Sequence, residues 1–131
     1  MLPLHHMVGA APTPVGPFSH AVESDGWIFI TGQMPTDPND PNAPLPEGVE
    51  AQTVRVMENL KLVLAGVGLT LQNVTMVRAY LKEFDRDYAV MNSTYESFFE
   101  KGQLPARTCI GVSGLAVSTL VEIDLIARRP A

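Results

Sequence analysis

A single arginine interrupts an otherwise apolar strand near the C-terminal end of the sequence, and this restricts how the chain can fold. The run from Leu104 to Val112 begins at Pro105, and its apolar side chains alternate with Arg107 on the opposite face. A guanidinium cannot lose its charge, so it must reach a carboxylate or water. Its planar fork suits a carboxylate, which it holds by two parallel hydrogen bonds. The partner is then either an acid of the protein or a bound ligand.

A second strand, predicted from Leu120 to Arg128, supplies candidate acids. Its apolar residues alternate with Glu122 and Asp124, which lie on the opposite face. An antiparallel hairpin turning near residues 115 and 116 would set Cys109 opposite Glu122. Arg107 would then lie opposite Asp124, with all four side chains on one face. In this arrangement Arg107 either pairs with Asp124 as a structural ion pair or is free for a ligand, and a register slip of two residues would exchange the partners.

Charge and size limit the class of partner. The 131 residues predict one domain, 1–131, and 46% hydrophobic with 18% charged residues is ordinary for a globular chain. The net charge of −5 and only nine scattered basic residues oppose nucleic acid as a partner, because binding to phosphates depends on clustered Lys and Arg.

Neither a metal site nor a membrane anchor is expected. The one cysteine permits no internal disulfide and no cysteine-built zinc site. The adjacent His5 and His6 have no acidic or cysteine companions nearby, so solvated side chains are expected there. No apolar run approaches the roughly 20 residues that span a bilayer. The first residues also lack the basic and apolar parts of a signal peptide, which predicts a cytoplasmic location.

The first third of the chain reads as strands and loops. Residues 1–17 are predicted to be an extended segment or tail because four prolines resist helix there. Strands are predicted at 18–23 and 27–31, joined by the Asp25-Gly26 turn. The proline-rich stretch 32–48 is predicted to be a surface loop.

The remainder alternates between helix and strand patterns. Apolar or semi-polar residues at helical spacing predict a helix over 47–67, and β-branched alternation predicts a strand over 74–81. The strand is expected to follow the helix by a parallel crossover. A second helix is predicted from Asp85, as N-cap, to Lys101. Its aromatic stripe is predicted to be core rather than a stacking surface; the stripe comprises Phe84, Tyr88, Met91, Tyr95 and Phe98 or Phe99.

These elements predict an α+β sheet with both helices on one face. Two helices cannot cover both faces of a sheet, so the other face is expected to pack on further subunits of a closed oligomer. A cleft between subunits is then a natural place for a small ligand.

Several short motifs together resemble one family. They are Gly16-Pro17-Phe18-Ser19-His20-Ala21, Thr31-Gly32-Gln33-Met34-Pro35, Glu50-Ala51-Gln52-Thr53 with Asn59-Leu60, Asn92 with Tyr95, Pro105-Ala106-Arg107-Thr108-Cys109 and Val121-Glu122-Ile123. The chain resembles the Rid family of reactive intermediate deaminases, also called YjgF-like proteins, over nearly all of its length. The resemblance implies a chorismate-mutase-like fold, assembled as a homotrimer with three sites between subunits.

The resemblance also implies an activity and the residues for it. The activity is hydrolysis of reactive enamines and imines such as 2-aminoacrylate and 2-iminopropanoate, with no metal or organic cofactor. Arg107 would hold the substrate carboxylate, and Glu122 would position the attacking water and act as base toward it. Cys109 would contribute backbone groups, because no neighbouring histidine in the sequence lowers its thiol pKa.

The pocket lining carries two departures from the family pattern. Thr31 and Gly32 would line the pocket across the cleft, and Asn92 would brace its wall. Phe18 stands where a tyrosine is usual, so one hydroxyl is missing, and Thr31 stands where serine is commonest. His20 replaces a common glutamine and is expected to be a sheet-edge histidine rather than a replacement polar group in the pocket. Substrate choice is therefore open even if the reaction class holds.

Three alternatives remain at this point. A more apolar pocket at Phe18 would suit a larger enamine, such as an aminomuconate. A non-catalytic binding or chaperone-like protein would use Arg107 to capture a carboxylate without activating water. The ribonuclease or translation-inhibitor role attributed to some relatives is disfavoured by the acidic charge.

Overall fold

The computed structural model of the protein describes residues 1–131 and contains one six-stranded mixed sheet with two helices on one side. The strands are β1 (Leu4–His6), β2 (Ala21–Ser24), β3 (Trp27–Gln33), β4 (Val74–Leu81), β5 (Ala106–Gly111) and β6 (Val121–Arg128). The helices are α1 (Gly48–Gly66) and α2 (Phe84–Glu96). Across the sheet the order is β1-β2-β3-β6-β4-β5, and only the β4–β5 pair is parallel.

The core lies between the helices and one face of the sheet. Alternate residues of the two central strands are 0–2% exposed: Val77, Ala79 and Leu81 of β4 and Val121, Ile123, Leu125 and Ala127 of β6. Helix α1 contributes Val56, Leu60 and Val63 at helical spacing, each fully buried. This burial confirms the α+β architecture with both helices on one face.

The β5–β6 hairpin predicted from the sequence is wrong. Strand β4 lies between β5 and β6 and pairs with both of them. The connection 112–120 therefore crosses over β4, and it does so through a short 3-10 turn in which Val117 and Ser118 have positive φ. Alternation shows which side chains of one strand share a face, but it does not show which strand lies next to it. The predicted alternation within β5 and within β6 is therefore confirmed, whereas their pairing with each other is wrong.

The predicted crossover from the first helix is confirmed. Strand β6 is antiparallel to both β3 and β4, so β3 and β4 run parallel with α1 between them in the chain. The stretch 34–47 is irregular apart from one bridge between Asp37 and Asp40, as expected for a proline-rich loop.

The structure decides one segment prediction and corrects another. Of the two alternatives for residues 1–17, the extended segment is confirmed and the tail is not, because Leu4–His6 pairs with β2 and the next residues cover the core, with Val8 8% exposed and packed on Gly66. Helix α2 starts after an N-cap at Glu83, so Asp85 lies in the first turn, where its charge is favourable. It ends at Glu96, where the Ser97 hydroxyl donates to the Thr94 carbonyl, 2.5 Å away.

Neither helix is both long and apolar enough to cross a membrane.

Candidate active site

The guanidinium of Arg107 has no carboxylate partner in the chain. It lies on the helix side of the edge strand β5, where it takes part in no ion pair and no side-chain hydrogen bond. The side chain is half-buried and borders a cavity of about 270 Å³, here called the Arg107 cavity, lined by Asn92, Tyr95, Glu96, Leu104, Pro105 and Arg107. An unpaired, partly desolvated cation beside an open cavity is suited to bind an anion.

The acid expected to neutralise Arg107 is engaged elsewhere. Asp124 accepts a hydrogen bond from Arg78 Nε at 2.8 Å and another from the Tyr80 hydroxyl at 3.1 Å. Both donors come from β4, which replaces β5 as the neighbour of β6. The structural Arg107–Asp124 pair considered from the sequence is therefore absent.

Cys109 follows Arg107 on the same face of β5. Its side chain is half-buried and packs against the hydrophobic core. Burial raises the pKa of the thiol, and the nearby Arg107 charge opposes that rise only in part. A protonated thiol is a poor nucleophile, so the structure gives no support to covalent catalysis by Cys109.

Glu122 lies on the opposite, helix-free face of the sheet. It stands in register with Tyr80 of β4, and its carboxylate packs against Gly32, where an added Cβ would overlap it. Burial, reinforced by the charge of Asp124, raises the pKa of Glu122. A half-buried carboxyl with a raised pKa has the properties of a general base.

Phe18 and Thr31 lie close to Gly32. Phe18 lines a narrow pocket together with Gly32 and the proline-rich residues 12–14, and its ring is 38% exposed. Thr31 adjoins Gly32 at the end of β3, where the pairing with β6 is irregular between Ile30 and Gln33. We refer to the four residues Phe18, Thr31, Gly32 and Glu122 as the Glu122 cluster.

His20 is a structural histidine. It is 3% exposed, its Nδ1 accepts from the Val8 amide at 2.8 Å, and its Nε2 therefore donates to the Pro12 carbonyl at 2.7 Å. Both ring nitrogens are occupied, so His20 secures the N-terminal segment against β2. It does not offer a polar group to replace the hydroxyl missing at Phe18, and it is buried rather than at a sheet edge.

Two buried polar atoms near Arg107 have no partner. The Asn92 Oδ1 and the Tyr95 hydroxyl are both inaccessible to solvent and unbonded. Both residues come from α2 and line the Arg107 cavity. This agrees with Asn92 as part of the cavity wall.

The structure thus divides the predicted site residues between two places. Arg107, Cys109 and Asn92 lie on the helix side of the sheet, whereas the Glu122 cluster lies at its open face. The prediction that Arg107, Cys109, Glu122 and Asp124 share one face is therefore wrong for a single chain. Arg107 and Cys109 are the register partners of Val77 and Ala79, which are buried on the helix side of β4. Glu122 and Asp124 are the partners of Tyr80 and Arg78, which lie on the other face.

Sequence reasoning missed one aromatic neighbour of Arg107. Tyr88, assigned to the core, is 37% exposed and stacks on Phe84 with ring centroids 4.7 Å apart. Its ring lies beside the Arg107 guanidinium. The signal was present in the sequence as the spacing of Tyr88, Asn92 and Tyr95, which share one face of a helix. No group of three or more His, Cys, Asp or Glu side chains is arranged to hold a metal ion.

Known proteins resemble this chain along almost its whole length. The family model described as Endoribonuclease L-PSP matches residues 8–129. A 2-iminobutanoate/2-iminopropanoate deaminase of Escherichia coli is 31% identical over 121 residues, covering 91% of this chain and 92% of that protein. The crystal structure of a Yersinia pestis member of the Rid protein family, of unknown function, superposes with a TM-score of 0.90 at 27% identity, covering 98% and 100% of the two chains. The chain belongs to the Rid family.

Other Rid relatives support the assignment. A RutC family protein of Synechocystis is 37% identical over 120 residues, which is 92% of each chain. The crystal structure of the Escherichia coli YjgF gene product, at 29% identity, has a TM-score of 0.86 and covers 95% of this Rid chain and 97% of its own. The predicted YjgF-like fold is thereby confirmed.

Proposed function

We propose that this Rid protein hydrolyses small enamines and imines that carry a carboxylate, such as 2-aminoacrylate and 2-iminopropanoate, to the 2-oxoacid and ammonia. Relatives at 31% and 32% identity are named 2-iminobutanoate/2-iminopropanoate deaminases. These names support the same reaction class for this chain. The residues of this chain must then supply a carboxylate-binding group and a base for water.

The observation that carries the proposal is the free guanidinium of Arg107. The sequence contains six arginines, and five of them donate a guanidinium hydrogen bond to a group of the chain: Arg55, Arg78, Arg86, Arg128 and Arg129. Arg107 donates none and borders a cavity. Its fork is therefore free to hold a substrate carboxylate by two charge-assisted hydrogen bonds.

The chemistry that remains is modest. A protonated imine attracts water, and Glu122 in its carboxylate form accepts a proton from that water as the oxygen bonds to the imine carbon. The resulting carbinolamine loses ammonia and leaves the 2-oxoacid. Backbone groups on the outer side of the edge strand β5, at Cys109, have no partner strand and are suited to stabilise the carbinolamine.

The site is proposed to form between subunits of a homotrimer. Arg107 and Glu122 lie on opposite faces of one sheet, so a small substrate cannot reach both groups of the same chain. The open face also exposes Trp27, Phe29 and Ile110 by 42–48%, as expected for a surface that packs on another subunit. One subunit would supply the Arg107 cavity and its neighbour the Glu122 cluster, so that Phe18, Thr31 and Gly32 line the cleft opposite Arg107.

A nuclease function receives less support. The family model is described as an endoribonuclease, but this chain has a net charge of −5. A net negative charge repels a phosphate backbone, and the nine Lys and Arg residues are too scattered along the chain to offset it.

The test is ammonia release from imines made in situ from a panel of amino acids by an amino-acid oxidase. Arg107→Ala is expected to lower kcat/KM by about 100-fold or more, because two charge-assisted hydrogen bonds are lost. Glu122→Gln is expected to lower kcat by about 100- to 10,000-fold while binding of the 2-oxoacid product changes little.

Arg55→Ala provides the matched control. Arg55 lies on α1 and bonds Asn59 rather than facing the Arg107 cavity, so its loss should leave turnover near the wild-type value. Absence of ammonia release from every imine, with 2-oxoacid binding intact, would refute the hydrolase and favour a metabolite-binding protein.

A further inference from the structure

Two tyrosine rings flank the unpaired Arg107 guanidinium. Its Cζ lies 5.0 Å from the Tyr95 ring centroid and 5.9 Å from that of Tyr88. Both distances are within the range at which a cation is attracted to the face of an aromatic ring. The chain therefore gives Arg107 two cation–π contacts.

Both rings are fixed by the fold. Tyr88 and Tyr95 are seven residues apart on α2, two helical turns, so they project from the same face toward β5. Tyr95 is 4% exposed and packs on Phe99 at 5.0 Å between ring centroids. Tyr88 stacks on Phe84. Phe84 in turn packs so closely on Gly111 of β5 that a side chain at position 111 would displace Phe84.

Ring faces and carboxylates hold an arginine in different ways. A carboxylate partner accepts the N–H groups of the guanidinium and so occupies its fork. A ring face attracts the flat cation through its π electrons and accepts none of the in-plane N–H groups. An arginine held between rings is therefore oriented while its donors stay available.

We propose that Tyr88 and Tyr95 are positioning residues that orient Arg107 by their ring faces and leave its N–H fork open for the substrate carboxylate. This inference rests on the proposed function. A free arginine side chain must give up rotamer freedom when it binds. The rings restrict that freedom before the substrate arrives, so their effect should appear in substrate affinity more than in the chemical step.

Tyr95 contacts Arg107 through its ring face, and its hydroxyl makes no hydrogen bond within the chain. It is buried without a hydrogen-bond partner, and burial raises its pKa to about 12, so it stays neutral. An unsatisfied buried hydroxyl contributes no favourable bond. Tyr95→Phe retains the ring face that contacts Arg107.

The experiment compares Tyr88→Leu with Tyr88→Phe. Tyr88→Leu removes the ring face, and KM for imines is expected to rise roughly three- to tenfold, with kcat within about twofold of wild type. Tyr88→Phe retains the face and should restore the wild-type KM. Calorimetric binding of pyruvate, a small 2-oxoacid probe, should weaken by the same factor in Tyr88→Leu alone, with unchanged thermal unfolding of the oligomer.

The outcomes separate this inference from the proposed function. An active wild-type protein with an unchanged KM in Tyr88→Leu would overturn the positioning role and leave the deaminase intact. An equal rise of KM in Tyr88→Phe and Tyr88→Leu would show that the Tyr88 hydroxyl rather than its ring face acts, which also overturns the inference. A wild-type protein that neither releases ammonia nor binds pyruvate would refute the proposed function and this inference with it.

Discussion

Arg107 and Glu122 lie on opposite faces of the same sheet, with strand β4 between the two strands that carry them. The Arg107 side chain faces helix α2, and the Glu122 carboxylate packs on Gly32 at the open face. A deaminase that uses both groups on one small substrate therefore needs two copies of the chain.

This separation predicts complementation between inactive variants. Arg107→Ala and Glu122→Gln chains, unfolded together and refolded at equal amounts, can form sites that take Arg107 from one variant and Glu122 from the other. Random mixing in a trimer would restore about a quarter of the sites. Ammonia release near a quarter of the wild-type rate is expected, whereas each variant refolded alone should remain inactive. If the mixture is no more active than its components, the two residues do not act across a subunit boundary.

The raised pKa of Glu122 predicts the pH dependence of turnover. Burial stabilises the protonated acid, so the pKa lies above the ordinary 4.5. The base must be a carboxylate, and kcat/KM should fall as the pH falls through that raised pKa. A steady-state profile measures the midpoint. In Glu122→Gln the residual activity should lack this acid limb, and an unaltered limb would assign it to another group.

Gly32 is predicted to be required because of its contact with Glu122. A Cβ at position 32 would overlap the carboxylate, so Gly32→Ala must displace the base. Turnover should drop about tenfold or more, since misplacement of a catalytic group is costly. Stability should change little because the displaced atoms end a flexible side chain.

Gly9→Ala is the matched control for that variant. No heavy atom lies within 4 Å of a Cβ added at Gly9, so this substitution has the same effect on the unfolded chain without a new contact. Wild-type turnover in Gly9→Ala and reduced turnover in Gly32→Ala, at similar thermal midpoints, are expected. Full activity of Gly32→Ala would mean that the position of Glu122 does not matter.

The lowered pKa of Glu23 predicts that the folded protein loses stability in acid. Two hydrogen bonds from Arg129, at 2.7 and 2.9 Å, together with His6 at 3.1 Å, lower its pKa to about 2 against the opposing effect of burial. The unfolded chain takes up this proton near pH 4.5. The stabilisation is therefore complete above that value and is lost as the pH falls from about 4.5 to about 2.

Urea unfolding of wild type and Glu23→Gln measures this effect. The wild-type protein should be the more stable near neutrality, and the difference in unfolding free energy should shrink by about pH 3. A difference that is constant across this range would exclude the ionised Glu23 as its source.

Local patterns predicted most of the secondary structure but not the neighbours of each strand. Helix α1 and strands β4 and β6 lie within one residue of their predicted bounds at each end, because their apolar periods reflect one buried face. The position of β6 between β3 and β4 depends on contacts between distant segments. Alternation in β5 and β6 is the same whether or not the strands touch, so the hairpin could not be excluded from sequence.

The sequence predicted the charged residues of the candidate site, but it did not predict the aromatic residues around Arg107. Arg107 and Glu122 stood out as ionisable residues in apolar strands, and the resemblance gave each a role. The aromatic setting of Arg107 was hidden because Tyr88 and Met91 fit the same helical stripe, yet Met91 is fully buried and Tyr88 is 37% exposed. Helical spacing predicts which residues share one face of a helix, but it does not predict which of them the sheet covers.

Cys109 is the single cysteine of the chain, and its half-buried thiol stays protonated. Maleimide dyes react with exposed thiolates, so the native protein is expected to react with them slowly at Cys109. A cysteine introduced on the exposed side of α2 would consequently accept one fluorophore per chain. Energy transfer between two dye-labelled populations could then follow the exchange of chains in real time.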